Sequence, residues 1–304
     1  MRRAFLEVLL RVAEDDDRIV FLTGDLGFQI FDEFRDKYKG RYVNVGVAEA
    51  QMVNCAAGLA LEGWRPIVYS IASFMTARAF EQIKIALGYH ELPVMVVGAG
   101  GGFTYGASGV THHAQDDFGL MSLVPGMTVV APGSPGEVLD LMPQLLKLSG
   151  PSYIRIGRYG EAEYEADMPA VVGKMRMLRD GRKVAVVTTG AQAVQALEAH
   201  EILSQEGIAP MVCQMHTVDP LDVEGLQELA FRVHTCILVE EHFATGGLGS
   251  AVASWRMGID GPLRILRLGP DDNKVFGNPE QEELRTRFGY DAQSIASAVR
   301  AAWV

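Results

Sequence analysis

The stretch Tyr42–Ala60, YVNVGVAEAQMVNCAAGLA, joins a short strand to a helix of small residues and places one acid at the junction. Tyr42–Val45 has the pattern of a strand, Gly46 interrupts it, and the residues from Glu49 onward suit a helix. Because its neighbours are small or apolar, the carboxyl of Glu49 is costly to ionise unless a partner compensates. Two interpretations remain open at this point: a catalytic carboxyl, or a first-turn glutamate that complements the helix dipole.

The composition indicates a two-domain protein of the cytoplasm. The 304 residues exceed a typical single domain, and no apolar run reaches the length of a membrane helix. A net charge of −11 argues against nucleic acid as a partner. The N-terminal segment suits a surface helix better than a signal peptide, because Glu7 and Arg11 interrupt its apolar residues. The 3 cysteines lie far apart in apolar surroundings and predict reduced, buried thiols.

Strand-like and helix-like segments alternate, which predicts an α/β fold of mostly parallel sheets with helices on both faces. We expect one such domain over residues 1–160 and a second over 183–304. The acidic stretch 161–182 lacks apolar periodicity and is predicted to be a surface linker. In the first domain the predicted strands are Ile19–Thr23, Tyr42–Val45, Pro66–Ser70, Val94–Val97, Thr128–Ala131 and Tyr153–Ile156, and the predicted helices include Glu49–Leu61, Phe74–Leu87 and Pro135–Leu148. In the second domain the predicted strands are Val184–Thr188, Ala209–Gln214, Ile237–Glu240 and Leu263–Leu268.

The segment Gly98–Asp117, GAGGGFTYGASGVTHHAQDD, is a glycine-rich loop that can bring backbone amides close to a ligand. It lacks the third glycine of a dinucleotide fingerprint and the lysine of a phosphate-binding P-loop. The adjacent His112 and His113 point in different directions, so at most one of them faces a site. The alternative is a helix entry capped by Asp116 and Asp117, with one histidine hydrogen-bonded into the structure. No ligand spacing typical of a metal site is present.

Two aromatic residues and two arginines are further candidates. Phe74 and Phe80 are six positions apart at the start of a predicted helix, and each is either a core aromatic or a ligand contact. Arg155 and Arg158 lie at the carboxyl end of a predicted strand, where α/β folds bind ligands. An arginine there either forks onto a phosphate or carboxylate, or lies in solvent.

Taken together, the order and spacing of these motifs resemble the transketolase family over essentially the whole chain. More narrowly, the chain is similar to the C-terminal half of that family, the pyrimidine-binding domain followed by the C-terminal domain. The same arrangement occurs in the beta chains of 2-oxoacid dehydrogenases and in deoxyxylulose-phosphate synthase. The motifs that carry the resemblance are GDL (Gly24–Leu26), VGVAEAQ (Val45–Gln51), YSIASFMTARAFEQ (Tyr69–Gln82), YGASGVTHHAQDD (Tyr105–Asp117), PSYIRIGR (Pro151–Arg158) and VEEHFATGGLGSAV (Val239–Val252).

The resemblance implies thiamine diphosphate as the cofactor. Glu49 matches the family glutamate that hydrogen-bonds a ring nitrogen of the cofactor's pyrimidine, favouring the imino form that removes the thiazolium proton. Phe74 and Phe80 match aromatic positions around the aminopyrimidine, and Phe74 is the expected stacking partner. A carboxyl in an apolar setting suits that relay, so the reasoning from the residues agrees with the family.

The resemblance also implies substrate contacts. His112 matches the family histidine beside the reacting carbon, which we count as catalytic, and Arg158 matches an arginine that binds the phosphate end of the substrate. Asp25 falls at a family aspartate near the substrate channel. The chain departs from the family at other substrate positions: Ser108 stands where an aspartate recognises a sugar hydroxyl, and Gly100 lies near a position that is histidine in the family.

A further departure is the loss of the family's phosphate-binding serine near Phe28–Gln29. Fewer polar groups at substrate positions predict weaker specificity for an ordinary sugar phosphate. The magnesium motif of the family's diphosphate-binding half, Gly-Asp-Gly followed by asparagine, does not occur in the sequence. We therefore expect a separate N-terminal partner subunit that supplies most of the magnesium ligands, in a heterotetramer with sites at the interface.

The function implied is transfer of a two-carbon ketol unit from a ketose or ketose phosphate to an aldehyde. An enzymatic alternative is the beta chain of a 2-oxoacid dehydrogenase-type decarboxylase that passes an acyl or glycolyl unit to a lipoyl or carrier-protein thiol. The other alternative is a non-catalytic relative that keeps the fold. The presence of Glu49, Phe74 and His112 argues against the last, which has no chemical need of them.

Overall fold

The computed structural model describes residues 1–158, 160–271 and 275–303. Its strands alternate with helices as predicted, and most predicted strand ends lie within two residues of the observed ones. The strands are β1 Ile19–Thr23, β2 Tyr42–Asn44, β3 Arg65–Ile71, β4 Met95–Ala99, β5 Thr128–Val130, β6 Ser152–Ile156, β7 Arg176–Arg179, β8 Lys183–Thr188, β9 Met211–Gln214, β10 Thr217–Asp219, β11 Val233–Val239 and β12 Arg264–Leu268.

The helices cover both faces of the sheets. They are α1 Arg2–Asp15, α2 Asp32–Lys37, α3 Glu49–Leu61, α4 Phe80–Gln82, α5 Asp117–Ser122, α6 Pro135–Leu145, α7 Gln192–Ser204, α8 Val223–Arg232, α9 Leu248–Met257, α10 Gln281–Arg287 and α11 Ala292–Ala302. Within the described ranges, none of them combines the length and apolar character needed to cross a bilayer.

Two mostly parallel sheets organise the chain, which confirms the predicted fold class. The first has seven strands in the order β10-β5-β6-β4-β3-β1-β2, and all of its neighbours are parallel except β10 and β5. The second has five strands in the order β12-β11-β8-β9-β7, with β7 antiparallel to β9. Every residue of β1, β4 and β6 is buried, because helices cover both faces of a parallel sheet.

Alternate residues of β1 belong to two different apolar cores. Phe21 packs with α1 and α6, whereas Leu22 packs with α3 and the segment after β3. Successive side chains of a strand point to opposite faces, so these two cores lie on opposite faces of the seven-stranded sheet. This double burial fixes the register of β1 and therefore the positions of the loops that follow the strands.

The structure corrects two local predictions and adds one strand that was not predicted. The stretch predicted to be irregular contains β7 at Arg176–Arg179, which pairs with β9 of the second sheet, while residues 161–175 contain neither helix nor strand. The second half also returns a strand, β10, to the edge of the first sheet, where Thr217 pairs with Val130. The predicted helix Phe74–Leu87 is composite: α4 lies between two π-helical segments, Phe74–Arg78 and Ile83–Gly88.

Candidate active site

The predicted site residues lie at the carboxyl edge of the seven-stranded sheet. Parallel strands end at the same edge, which is where α/β proteins place ligand-binding side chains. The loops after β1, β2, β3, β4 and β6 all contribute to it. In chain order they carry Asp25, Glu49, Phe74, Ser108, His112 and Arg158.

Glu49 is the first residue of α3, and only 3% of it is exposed. The hydroxyl of Ser70, near the end of β3, donates a hydrogen bond to Oε1 of Glu49 at 3.2 Å. Nη1 of Arg78 lies 3.5 Å from Oε2. These two groups supply polar contacts to the buried carboxyl that the apolar sequence around Glu49 does not provide.

Arg78 belongs to the π-helical segment after β3, which also carries Phe74. The guanidinium of Arg78 lies over the ring of Phe74, 4.1 Å from its centroid. A guanidinium over an aromatic face is attracted by the charge distribution of the ring. Single π-helical turns are frequent at functional sites. The segment therefore joins a carboxylate, a guanidinium and an aromatic ring into one group.

His112 approaches the same ring from the glycine-rich loop. The rings of His112 and Phe74 are 5.0 Å apart and meet at 63°, and Nδ1 of His112 is 3.0 Å from the hydroxyl of Thr111. Partial burial lowers the pKa of His112, and the nearby charges of His113 and Arg78 lower it further. The lowered pKa favours the neutral imidazole, which can both donate and accept a hydrogen bond.

The loop that carries His112 is closed at its neck. Gly102 and Ala114 exchange backbone hydrogen bonds of 2.8 Å and 2.9 Å. The 3₁₀ turn Gly106–Ser108 leaves Ser108 exposed at the outside of the loop. His113 is buried, and its Nε2 lies 3.1 Å from the carbonyl oxygen of Gly106. Only one of the two adjacent histidines therefore faces the candidate site, as predicted.

Arg158 extends the group on one side. Its guanidinium lies over the ring of Tyr105, 4.9 Å from the centroid, and that ring is 5.8 Å from His112. Asp25 lies at the end of β1, is exposed, and has a φ of +60°. Its backbone N–H donates to Oδ1 of Asn44 at 3.0 Å, and Nδ2 of Asn44 donates back to Oδ1 of Asp25 at 3.1 Å. Asp25 is thus held beside the end of β2, which leads to Glu49.

Phe80 has different surroundings from Phe74. It is half-buried and packs against the apolar core that contains Met52 and Ile83. The ammonium of Lys84 lies 5.9 Å from the centre of its ring. The structure thus brings Phe74 together with Glu49 and His112 and places Phe80 against the core. The cofactor contact expected of Phe80 stays a prediction.

Arg155, the second arginine that the sequence offers for anion binding, lies inside the protein and is 9% exposed. Its Nη1 is 3.2 Å from Oδ1 of Asp117, and the hydroxyl of Tyr153 donates to Oδ2 of the same carboxylate at 2.7 Å. Burial raises the pKa of Asp117, and the charge of Arg155 opposes that rise. At the N-cap of α5 the side chain of Asp116 makes no capping hydrogen bond, so the predicted cap by Asp116 is not formed.

Sequence reasoning missed two members of the group, Arg78 and Tyr105. Arg78 is four residues after Phe74, and this spacing on a helix is a signal for side-chain contact. Tyr105 joins His112 and Arg158 only through the fold of the loop, for which the sequence carries no comparable signal. In the part of the chain that the structure describes, no group of three or more His, Cys, Asp or Glu side chains could hold a metal ion.

Comparison with known proteins matches both halves of the chain to one family. Residues 1–159 match the family model described as transketolase, pyrimidine binding domain, and residues 173–295 match transketolase, C-terminal domain. The chain is 34% identical to an apulose-4-phosphate transketolase subunit of Phocaeicola vulgatus, over 97% of this chain and 94% of that one. It is 35% identical to a 6-deoxy-6-sulfo-D-fructose transketolase subunit of a Clostridium species, over 98% and 92% of the two chains. A solved structure described as a split gene transketolase, inactive beta4 tetramer, matches with a TM-score of 0.88 and 32% identity, over 99% and 97% of the two chains.

Proposed function

This chain belongs to the transketolase family, and we propose that it is one subunit of a split transketolase that depends on thiamine diphosphate. The subunit would carry the pyrimidine-binding and C-terminal domains, and the enzyme would transfer a two-carbon ketol unit from a ketose or ketose phosphate to an aldehyde. The observation that carries this proposal is the contact series from the buried Glu49 through Arg78 and Phe74 to His112.

The residues present fit the aminopyrimidine end of the cofactor. A buried carboxylate beside a half-buried aromatic ring can pair with a ring nitrogen and stack against a flat heterocycle. Glu49 would hold the pyrimidine nitrogen, and Phe74 would stack on the ring, with Phe80 as a second aromatic neighbour. When bound, thiamine diphosphate supplies the carbon nucleophile that cleaves a ketose.

The substrate would lie along the open side of the same series. His112, with its neutral imidazole, would donate or accept a hydrogen bond at the substrate oxygens beside the reacting carbon. Arg158 would bind an anionic far end of the substrate, while Asp25 and Ser108 would contact hydroxyl groups. Ser108 is shorter than an aspartate and exposed, so it suits a ketose that differs from the common sugar phosphates.

The diphosphate and magnesium would be held mainly by a partner chain. A diphosphate needs a cation and several amide donors, and the described residues offer no cluster that suits a metal ion. The names of the two relatives, both of them transketolase subunits, and the tetramer of the solved neighbour support a multisubunit enzyme. We propose a heterotetramer in the cytoplasm, with an N-terminal transketolase-like subunit as the partner.

Calorimetric binding of thiamine diphosphate with magnesium tests this arrangement. The chain is titrated alone and then together with a candidate diphosphate-binding subunit from the neighbouring reading frame. Binding only in the mixture would support the split enzyme. Tight binding by the chain alone would contradict the division of the cofactor site, and a stable complex that binds no cofactor would point to a non-catalytic relative.

The reaction is then tested with a panel of ketose and ketose phosphate donors and aldehyde acceptors. Appearance of the lengthened ketose establishes ketol transfer. In parallel, 2-oxoacids are offered with a lipoyl domain or a carrier-protein thiol. If only this second reaction proceeds, the proposal fails and the chain acts as the beta chain of a decarboxylating dehydrogenase.

A further inference from the structure

Glu241 belongs to the second domain, but its carboxylate holds the first. It follows β11 and is 4% exposed. Oε2 of Glu241 accepts a hydrogen bond of 3.0 Å from the backbone N–H of Phe103. Nε2 of Gln281 donates to both oxygens, at 3.1 Å and 2.9 Å, and the hydroxyl of Tyr290 donates to Oε1 at 3.1 Å. A buried carboxylate with this many donors is fixed in orientation.

Phe103 lies at the neck of the glycine-rich loop, directly after the Gly102–Ala114 bridge. Its ring stacks on the ring of Phe288 in the second domain, with centroids 5.6 Å apart and an angle of 5° between the planes. The main chain and the side chain of Phe103 are therefore both held by the second domain. The neck of the loop cannot move without breaking one of these contacts.

Two glycines of the loop lie so close to the second domain that no side chain fits there. A Cβ atom on Gly102 would lie 2.1 Å from Oε2 of Glu241, and one on Gly106 would lie 2.5 Å from the carbonyl oxygen of Pro279. These distances are far below van der Waals contact. The loop is thus seated directly on the second domain at its neck and at its 3₁₀ turn.

We propose that Glu241 is a positioning residue for His112. The inference rests on the proposed function, because it takes His112 as the residue that contacts the substrate. His112 is two positions from Ala114, which closes the neck, and its ring faces Phe74 on the side of the candidate site. By holding Phe103, Glu241 fixes the loop and therefore the distance between His112 and Phe74. The second domain thereby controls a substrate contact made by the first.

The neighbouring glutamate provides a matched control. Glu240 is also fully buried, but its Oε1 accepts from Arg267 Nε at 2.7 Å and from the backbone N–H of Gly249 at 3.1 Å, both within the second domain. Replacing either glutamate removes a buried carboxylate together with the hydrogen bonds that it accepts, so the two variants are comparable. Only the loss of Glu241 releases the loop.

The first test measures hydrogen exchange of the full chain without substrate. In Glu241→Leu, the amides of residues 102–114 should exchange about tenfold faster than in the parent, because the hydrogen bond to Phe103 is lost. Glu240→Leu should leave these amides unchanged. Glu241→Gln keeps an oxygen acceptor and should restore most of the protection. The inference is wrong if the exchange rates of these amides are the same in Glu241→Leu as in the parent. It is also wrong if Glu240→Leu raises these rates as much as Glu241→Leu does.

The second test is kinetic and uses the complex with the partner subunit. Glu241→Leu should raise KM for the ketose about tenfold and leave the Kd of thiamine diphosphate within about twofold of the parent. An unchanged KM, or a parallel loss of cofactor binding, would overturn the inference. If Glu241→Leu does not fold, Phe288→Leu removes the ring stack instead and should give the same two changes. Hydrogen exchange does not require an active enzyme, so the first test can still be interpreted if the proposed function is wrong.

Discussion

The guanidinium of Arg78 reaches the buried carboxylate of Glu49, with Nη1 3.5 Å from Oε2, while it also covers the ring of Phe74. The arginine side chain is 51% exposed, so solvent screens its charge and the pair contributes little to stability. The effect of Arg78 is geometric, because its guanidinium contacts both the face of the Phe74 ring and one carboxyl oxygen of Glu49. A ligand that stacks on Phe74 and bonds Glu49 would displace or share this guanidinium.

The first prediction concerns Glu49→Gln. This change keeps the size of the side chain and removes its acidity, so the complex with the partner subunit should still assemble and bind thiamine diphosphate. Exchange of the cofactor's thiazolium C2 proton should slow by about 10²–10⁴-fold, the usual contribution of a positioned acid or base. NMR of the bound cofactor after dilution into D₂O measures this rate. Glu62→Gln, at the exposed end of the same helix, is the control. Exchange at the parental rate in Glu49→Gln would show that Glu49 has another role.

The two phenylalanines should respond differently to the same substitution. Phe74→Leu removes a ring beside Glu49 and should raise the Kd of thiamine diphosphate threefold to about tenfold, since ring stacking contributes about 0.5–1.5 kcal/mol. Phe80→Leu removes a ring that packs on the core and should instead lower the free energy of unfolding by about 1 kcal/mol. Calorimetry of the complex and denaturant unfolding of the chain separate the two effects. A larger change in Kd for Phe80→Leu would reverse the assignment of the stacking partner.

The stability of the chain should depend on pH through His216. Burial, together with the charge of Arg176, lowers the pKa of this imidazole to about 4, against an opposing effect of Asp222. An ordinary histidine in the unfolded chain has a pKa near 6.5. Between these values the unfolded chain binds a proton that the folded chain does not, so stability should fall as the pH drops from about 6.5 to about 4, by up to about 3 kcal/mol.

Urea unfolding at a series of pH values, for the parent and for His216→Phe, measures this contribution. The phenylalanine variant cannot take up a proton at this position, so the difference between the two profiles isolates His216 from the other titrating groups. We expect the difference to change across the window from about pH 4 to about pH 6.5. Parallel profiles would mean that the imidazole is protonated as easily in the folded chain as in the unfolded one.

Much of the fold could be predicted because the signals are local. The buried run 19–22 of β1 is continuously apolar, and Gly46 interrupts the pattern before Glu49, so strand, turn and helix are each visible in a few adjacent residues. The strand β10 could not be predicted in the same way. Its three residues pair with β5, some 87 positions away along the chain (Thr217 minus Val130), and only the tertiary fold brings them together.

The candidate site likewise has a part that local sequence predicts and a part that depends on the tertiary fold. The carboxyl ends of the strands could be predicted to carry Glu49, His112 and Arg158, because parallel strands share an edge. The sequence does not predict whether an arginine at that edge pairs with a buried acid. Arg155, three positions before Arg158, pairs with Asp117 inside the protein. The pairing of Arg155 depends on Asp117 at the start of α5, a tertiary contact that a single sequence does not show.

The last prediction concerns Gly100, which lies near a position expected to be histidine from the resemblance to the transketolase family. Its φ is +74°, and a Cβ atom there would lie 2.0 Å from the ring of Tyr105. Gly100→Ala should therefore destabilise the chain by about 2 kcal/mol, since both the backbone and the ring oppose a side chain. Gly58 is exposed within α3 and has no heavy atom within 4 Å of its Cβ position, so Gly58→Ala should stabilise by about 0.5–1 kcal/mol.

Denaturant unfolding of both alanine variants against the parent measures the contrast. Opposite signs are expected, because the same methyl group meets a ring at one position and solvent at the other. If Gly100→Ala were as stable as the parent, Tyr105 would have to move away from the space it now fills. The ring contacts of Tyr105 with His112 and Arg158 would then be adjustable, and a larger side chain at position 100 would be compatible with this loop.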